Sequence, residues 1–230
     1  NLHISNKVGV ELNGSKLNSL GNLGLGFDLS KVSLSSNNLG QRNRTMLNMF
    51  IEQQVKFNND KIDFTPGIAI SYFSDVSTNL NFKDNFFNNL FFYPGVDFGY
   101  RFNENMKLYS NVGYTYRIPT YTDLFYSSPT TLGNENLKLE KALTKEIGLK
   151  YLKNNFNLNL SLYRRDASDI IDYVRNSELE PWQANNIREI ITDGFELNIG
   201  YKFYLGSLRM HSINVGYSNI NDELLETNYI

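Results

Sequence analysis

The chain has 230 residues, with 22 basic and 24 acidic side chains, a formal net charge of −2, two histidines and no cysteine. That balance offers no concentrated positive surface for nucleic acid, and it excludes a disulfide frame, a thiolate metal site and a convincing histidine metal cluster. Aromatic residues make up 14% of the chain and prolines number five, which favours strands, and no apolar run is long enough for an ordinary membrane-spanning helix.

The first residues, NLHISNKVGV, lack the basic, apolar and cleavage-site succession of a signal peptide. From Leu2 onward, Ile4, Val8, Val10 and Leu12 alternate with polar residues, and Leu17, Leu23, Leu25, Phe27 and Leu29 form the next apolar series. Further runs follow at Leu47–Phe57, Ile62–Tyr72, Leu90–Phe102 and Met106–Tyr116. The last four are Leu143–Tyr151, Phe156–Leu162, Phe195–Phe203 and Ile213–Tyr217. Period two fits every segment better than helical spacing, so the sequence predicts an all-β chain of about ten strands and almost no helix. Short polar turns are expected at 13–15, 58–60, 103–105, 153–155 and around Gly206. Longer loops are expected near 35–44, 74–89, 118–141 and 175–191, with another opening at Asn221. Tight turns at one end and long loops at the other describe an antiparallel up-and-down meander.

A soluble sandwich and a transmembrane barrel both produce alternation. Strands of roughly 11–17 residues exceed the usual length in soluble sheets and suffice to cross a bilayer at a tilt. Tyr and Phe crowd the strand ends, as in interface girdles. The polar face carries Asp97, Arg101, Lys107, Asn111, Arg117, Glu196, Asn198 and Lys202, which suits a wet lumen, although a solvated sheet face would look similar. The barrel is favoured. Because open edges are not tolerated in lipid, the chain either closes on itself or is a piece of a larger ring.

Between about 91 and 196 four phrases occur in fixed order: YRIPTYTDLFY (116–126), GNENLKLEKALTKEIGLKY (133–151), SLYRRDASDIIDYV (161–174) and WQANNIREIITDGFE (182–196). Together they resemble the C-terminal half of TonB-dependent outer-membrane receptors, most closely the cobalamin-transporter-like branch. Two prolines of the family pattern are replaced, by Glu135 and Leu139. The resemblance implies a transmembrane antiparallel barrel of about 22 strands filled by a plug. Residues 1–230 would then supply about ten of those strands as a partial barrel domain, without the plug or the closing strands; an isolated ten-strand pore is the alternative. It further implies a bacterial outer-membrane location, long loops extracellular and short turns periplasmic. The implied partners are TonB, acting through the plug segment, outer-membrane lipid, and a scarce bulky ligand such as cobalamin or a ferric siderophore. A surface lipoprotein is a further candidate partner. Neither a cofactor nor a resident metal is implied. A passive pore and a structural barrel are the other classes.

No catalytic set is legible. His211 and Ser212 are adjacent in a strand and so point to opposite faces. The Gly-rich GNLGLGF (21–27) lies inside a strand rather than before a helix. Asp166, Asp169 and Asp172 lack the calcium-loop pattern and read as wall charges pairing with Arg164 and Arg165. The candidate ligand contacts are loop residues: Tyr121, Phe125 and Tyr126 after Pro119, and Trp182 with Gln183 and Asn185. Rigid aromatics beside amides suit a bulky, partly apolar ligand, or else they belong to the interface belt and to loop packing. Gly133 and Asn134 are expected in a positive-φ turn, with Leu137 and Leu139 settling the returning chain on the rim.

Overall fold

The computed structural model describes residues 2–77, 88–206 and 209–225. In chain order the elements are β1 (His3–Asn18), β2 (Gly21–Ser36), β3 (Gly40–Phe57), β4 (Ile62–Ser77), β5 (Asn88–Asn103), β6 (Met106–Arg117), α1 (Tyr121–Phe125), β7 (Thr131–Leu132), β8 (Glu140–Lys153), β9 (Phe156–Val174), β10 (Trp182–Leu205) and β11 (Arg209–Leu225). Ten long strands pair antiparallel with their sequence neighbours, while β7 lies apart and runs parallel to β10. Among the described residues β1 pairs only with β2, and β11 only with β10.

The ladder sorts side chains by parity. Asp97 sits opposite Asn111, which sits opposite Glu146, and Arg101 sits opposite Lys107. These polar groups bond across strands: Asn111 Nδ2 donates to Glu146 at 2.9 Å, Tyr109 Oη to the same carboxylate at 3.1 Å, and Lys107 Nζ to Asp63 at 2.5 Å. Farther along the sheet, Asn48 Nδ2 donates to Asp28 at 3.0 Å while Ser71 Oγ donates to Asn48 at 2.5 Å. Gly148 leaves room on this face for the Tyr109 ring, whose atoms lie 2.3–2.5 Å from where a Cβ would stand. The opposite face is apolar and open, with Val10, Leu25, Met49, Phe92, Ile147 and Val215 all exposed. Soluble monomers rarely expose so extended an apolar surface; in lipid it needs no further cover.

Four turns stand where the sequence places them. At 58–60 Asn58, Asn59 and Asp60 take φ of 53°, 53° and 64°, and Asn154 takes 52°. Short polar Asn and Asp side chains tolerate this left-handed region best after glycine. Gly206 takes φ 71° at the β10–β11 turn. The turn expected at 13–15 lies elsewhere. Asn13, Gly14 and Ser15 remain in the ladder opposite Gly26, Leu25 and Gly24, and the chain reverses at 19–20. Asn18 Oδ1 fixes that reversal by accepting from Leu20 N at 2.9 Å and Gly21 N at 3.0 Å. Leu17 thus ends β1 rather than opening β2.

Two expected loops are largely strand. The loop placed at 35–44 shrinks to 37–39, where Ser36 Oγ accepts from the N–H groups of Asn38 and Leu39. The loop placed at 175–191 shrinks to 175–181, and β11 continues past Asn221 to Leu225. Polar strand residues look like loop when both faces carry them, and β10 also breaks period two through register shifts between Asn186 and Ile190. Of the loop expected at 74–89, residues 78–87 lie outside the described residues, as do 226–230. The long strands consequently run from 12 residues in β6 to 24 in β10, longer than the sequence suggests at the upper end.

Candidate functional site

The only helix among the described residues grows from the PTYTD stretch between β6 and β8. Thr120 caps it: the side chain accepts from Asp123 N at 3.1 Å, and Asp123 returns a bond to Thr120 N at 2.9 Å. This reciprocal Thr-x-x-Asp arrangement satisfies two otherwise orphaned donors, which lets a helix of five residues exist at all. Leu124, 1% exposed, is its one buried residue. It belongs to a cluster with Phe73, Leu137, Leu139 and Ala184, flanked by Met46, Phe91, Phe125 and Tyr173. The rings of Phe73 and Phe91 stack at 4.9 Å, and Tyr93 meets Tyr116 edge-on at 4.8 Å.

The segment after the helix folds back under it. Gly133 N donates to Tyr126 O at 2.7 Å and Asn134 N to Asp123 O at 2.8 Å. Gly133 does not adopt the positive φ expected of it. Its role is close approach: a Cβ there would stand 2.7–2.8 Å from the Leu124 carbonyl group and Phe125 N. Asn134, also without positive φ, works through its amide, which donates to Ala184 O at 3.0 Å and Asn185 Oδ1 at 3.1 Å. Leu137 and Leu139 are buried in the cluster rather than resting on a rim. Asn186 completes the join, accepting from Lys138 N at 2.7 Å and donating to Lys138 O and Asp169 O.

On the other side, α1 meets two arginines of β3. Arg44 holds Asp75 of β4 through two bonds of 2.7 and 2.6 Å and donates to Pro119 O at 3.1 Å. Its guanidinium lies 4.9 Å over the Tyr121 ring, and that of Arg42 lies 3.6 Å over Phe125. Burial, with Asp75 nearby, pushes the Tyr121 hydroxyl up to about 12 against the opposing pull of Arg44 and Arg42. It therefore stays protonated, and among the described residues it has no hydrogen-bond partner. At the mouth of the segment Arg117 pairs bidentately with Glu140 and also reaches Asp123 at 3.4 Å.

The six residues singled out by sequence separate into two groups. Tyr121 and Phe125 come together, rings 6.2 Å apart, but half-buried under the arginines. Tyr126 ends the helix, donating from its N–H to Thr122 O. Trp182, Gln183 and Asn185 stand on β10 rather than on a loop. Asn185 is tied to Asn134, whereas Trp182 (42% exposed) and Gln183 remain open, with the Arg175 guanidinium 4.7 Å over the indole. Sequence reasoning missed Arg42, Arg44, Asp75 and Asn186. The usable signal was Arg-x-Arg on the parity of Met46 and Asn48, facing Asp75 on the parity of Phe73.

The three aspartates of β9 are wall charges, as expected, but not all with the expected partners. Asp166 bonds Arg164 and Lys145, Asp169 pairs with Lys141, and Asp172 with Arg188. Among the described residues no group of three or more His, Asp or Glu is placed to hold a metal ion.

The model of the TonB dependent receptor-like β-barrel matches residues 3–229. The chain belongs to this family. TonB-dependent receptors of this kind are outer-membrane transport proteins, so the polar face is the lumenal side of the wall and the apolar face the lipid side. Among curated relatives, the vitamin B12 transporter BtuB of Vibrio vulnificus (strain YJ016) is 26% identical over 95 residues, which is 41% of this chain and 15% of that protein. Among solved structures, the siderophore receptor PirA from Pseudomonas aeruginosa superposes with a TM-score of 0.72 at 18% identity, covering 96% of this chain and 41% of that one. The FrpB iron transporter from Neisseria meningitidis (F3-3 variant) gives 0.70 at 16%, covering 96% and 36%. At such identities the likeness is one of fold. The chain spans about two fifths or less of the length of each of these relatives.

Proposed function

We propose that this chain is part of the barrel wall of an energised importer that takes up cobalamin or a related corrinoid. The observation that carries the cargo is the 95-residue match to a vitamin B12 transporter. The wall shape does not discriminate, since receptors named for siderophores, iron and copper share it at 16–18% identity. A ferric siderophore is therefore the second reading. In this account a plug segment, outside residues 1–230, fills the lumen and engages TonB. Loops such as 118–139 and 175–181 face outward, and the short turns face the periplasm. The described wall contributes a polar, cross-bonded lumen and an exposed indole at Trp182. Tyr121 and Phe125 do not touch cargo in the state described, because both are engaged by arginines.

Titration of the complete receptor with cyanocobalamin, and separately with ferric siderophores, tests this reading. Nanomolar corrinoid binding with a change in Trp182 emission at saturation is the expected result, read against a Trp182→Phe variant to isolate the signal of this indole. Absence of binding at micromolar cobalamin would remove the substrate assignment. Binding with unchanged Trp182 emission would retain the substrate and reject a contact at Trp182.

A further inference from the structure

Several glycines on the lumenal face are covered by a neighbouring side chain. A Cβ at Gly26 would stand 1.8 Å from the Phe50 ring, one at Gly148 2.3 Å from the Tyr109 ring, and one at Gly194 2.0 Å from the Tyr163 ring. Glu52 lies over Gly24 and Lys107 over Gly99 in the same way, at 2.9 and 2.5 Å. Gly67, Gly95 and Gly113 differ. They stand side by side on β4, β5 and β6. Among the described residues, the nearest atom to a Cβ at Gly95 would be Val112 O at 3.6 Å, and to one at Gly113 the Gly95 Cα at 3.9 Å.

The long side chains around this row are drawn off it: Phe50 and Glu52 lean toward β2, and Lys107 reaches past Gly99 to Asp63 at 2.5 Å. Two adjoining cavities of about 340 and 380 Å³ result, which share Thr65, Asp97 and Asn111. Their carboxylates are not all satisfied. Among the described residues neither Asp97 nor Glu52 has a hydrogen-bond or ion-pair partner. Asn111, opposite Asp97, gives its amide to Glu146, while Lys150 lies 4.7 Å over the Tyr109 ring. Phe50 and Tyr93 supply aromatic edges to the same trough.

The row also joins the two ends of the wall. On one side it continues in register through Glu52 and Gly24 to Ser15, beside the short reversal at 19–20. On the other it continues through Thr144, Arg165 and Thr192 to Asp222, near the far end of β11. It therefore climbs obliquely from the short-turn end to the long-loop end, over small residues for most of its length. A seat for a fixed domain needs no such continuity.

We propose that this trough is a passage site for cargo. Its ligand is a bulky molecule with N–H donors on its rim, amides above all, which Asp97 and Glu52 accept while the body rests on bare backbone between Phe50 and Tyr93. A concave surface with a few placed acceptors and aromatic edges suits such a ligand. The inference rests on the uptake reading above and adds a second place, inside the lumen, where cargo meets this chain.

Gly113→Leu in the complete receptor fills the trough where space permits a side chain. Cyanocobalamin binding is expected to be unchanged, while the maximal rate of TonB-dependent uptake falls about tenfold or more with KM little altered. Gly14→Leu, on the lipid face with open space around it, is the control and should leave uptake as it was. Because a filled trough could also hinder a plug, the second arm identifies the occupant. Thr65→p-benzoylphenylalanine, irradiated during uptake, is expected to capture radiolabelled cyanocobalamin in energised cells and not in cells without TonB. Unaltered uptake by the Gly113→Leu receptor would overturn the proposal. Capture of plug segment alone, with no labelled cargo, would overturn it too and make the trough a plug seat. If the unchanged receptor neither binds nor takes up cyanocobalamin, the uptake reading itself fails and the passage site falls with it.

Discussion

Arg44→Ala is expected to cost about 3–5 kcal/mol of stability, the range for breaking one side of a buried ion pair. Asp75 lies 4% exposed at its side chain, and both of its oxygens accept from Arg44. Without the guanidinium that carboxylate is left desolvated and unpaired, while Pro119 O and the Tyr121 ring lose their cation as well. The measurement is the urea midpoint of the folded receptor in lipid, with an unchanged slope marking a change of stability alone. A joint Arg44→Met/Asp75→Leu change should recover most of the loss, because a well-packed apolar pair often matches a buried salt bridge. Arg164→Ala serves as contrast. Its partner Asp166 sits on an open surface, where solvent screens the pair, so the urea midpoint is expected to stay close to that of the unchanged receptor.

Leu124→Ala attacks the same segment from within. Removing a fully buried leucine costs about 2–5 kcal/mol, the spread depending on how far the site collapses. Collapse is limited here because Gly133 already brings the returning backbone as close as a missing Cβ allows. The loss should fall on the segment between β6 and β8 and not on the sheet. Amide exchange at Leu124, Tyr126, Gly133 and Asn134 is expected to accelerate by about 30-fold or more, since about 1.4 kcal/mol corresponds to a factor of ten. The β8–β9 ladder from Glu146 to Lys153, paired along its whole length, should keep its protection. Loss of protection there as well would mean that the segment and the wall unfold as one unit.

Much of the wall was legible because its two faces meet different solvents. Leu149 and Leu160 alternate with Gly148 and Ser161, as strands with lipid on one side and water on the other require. Turns carried by Asn and Asp at left-handed φ were equally readable. Strand ends were not. Gln41 to Arg44 is polar on both faces, and in Gln183 to Arg188 only Ala184 and Ile187 are apolar and they are three apart, so periodicity could not separate strand from loop, and the bulge in β10 removed what period remained. The helix left a local trace, Thr120 with Asp123, but five residues cannot show helical periodicity.

The candidate site was legible only as a phrase. Sequence located the segment 116–139, yet its meaning depends on Arg42, Arg44 and Asp75, more than 40 residues upstream, and on Ala184 and Asn186, more than 40 downstream. Pairings at such separations are set by how the whole sheet is laid out, and no local pattern carries them. The seating of Tyr121 and Phe125 beneath two arginines of β3 is one such long-range pairing.

Uptake of labelled cobalamin by cells carrying the complete receptor, compared between strains with and without functional TonB, tests the transport claim most directly. The account predicts saturable accumulation that disappears when TonB or the proton gradient is removed. Accumulation that persists without TonB and rises linearly with concentration would contradict it, and would make this wall part of a passive pore.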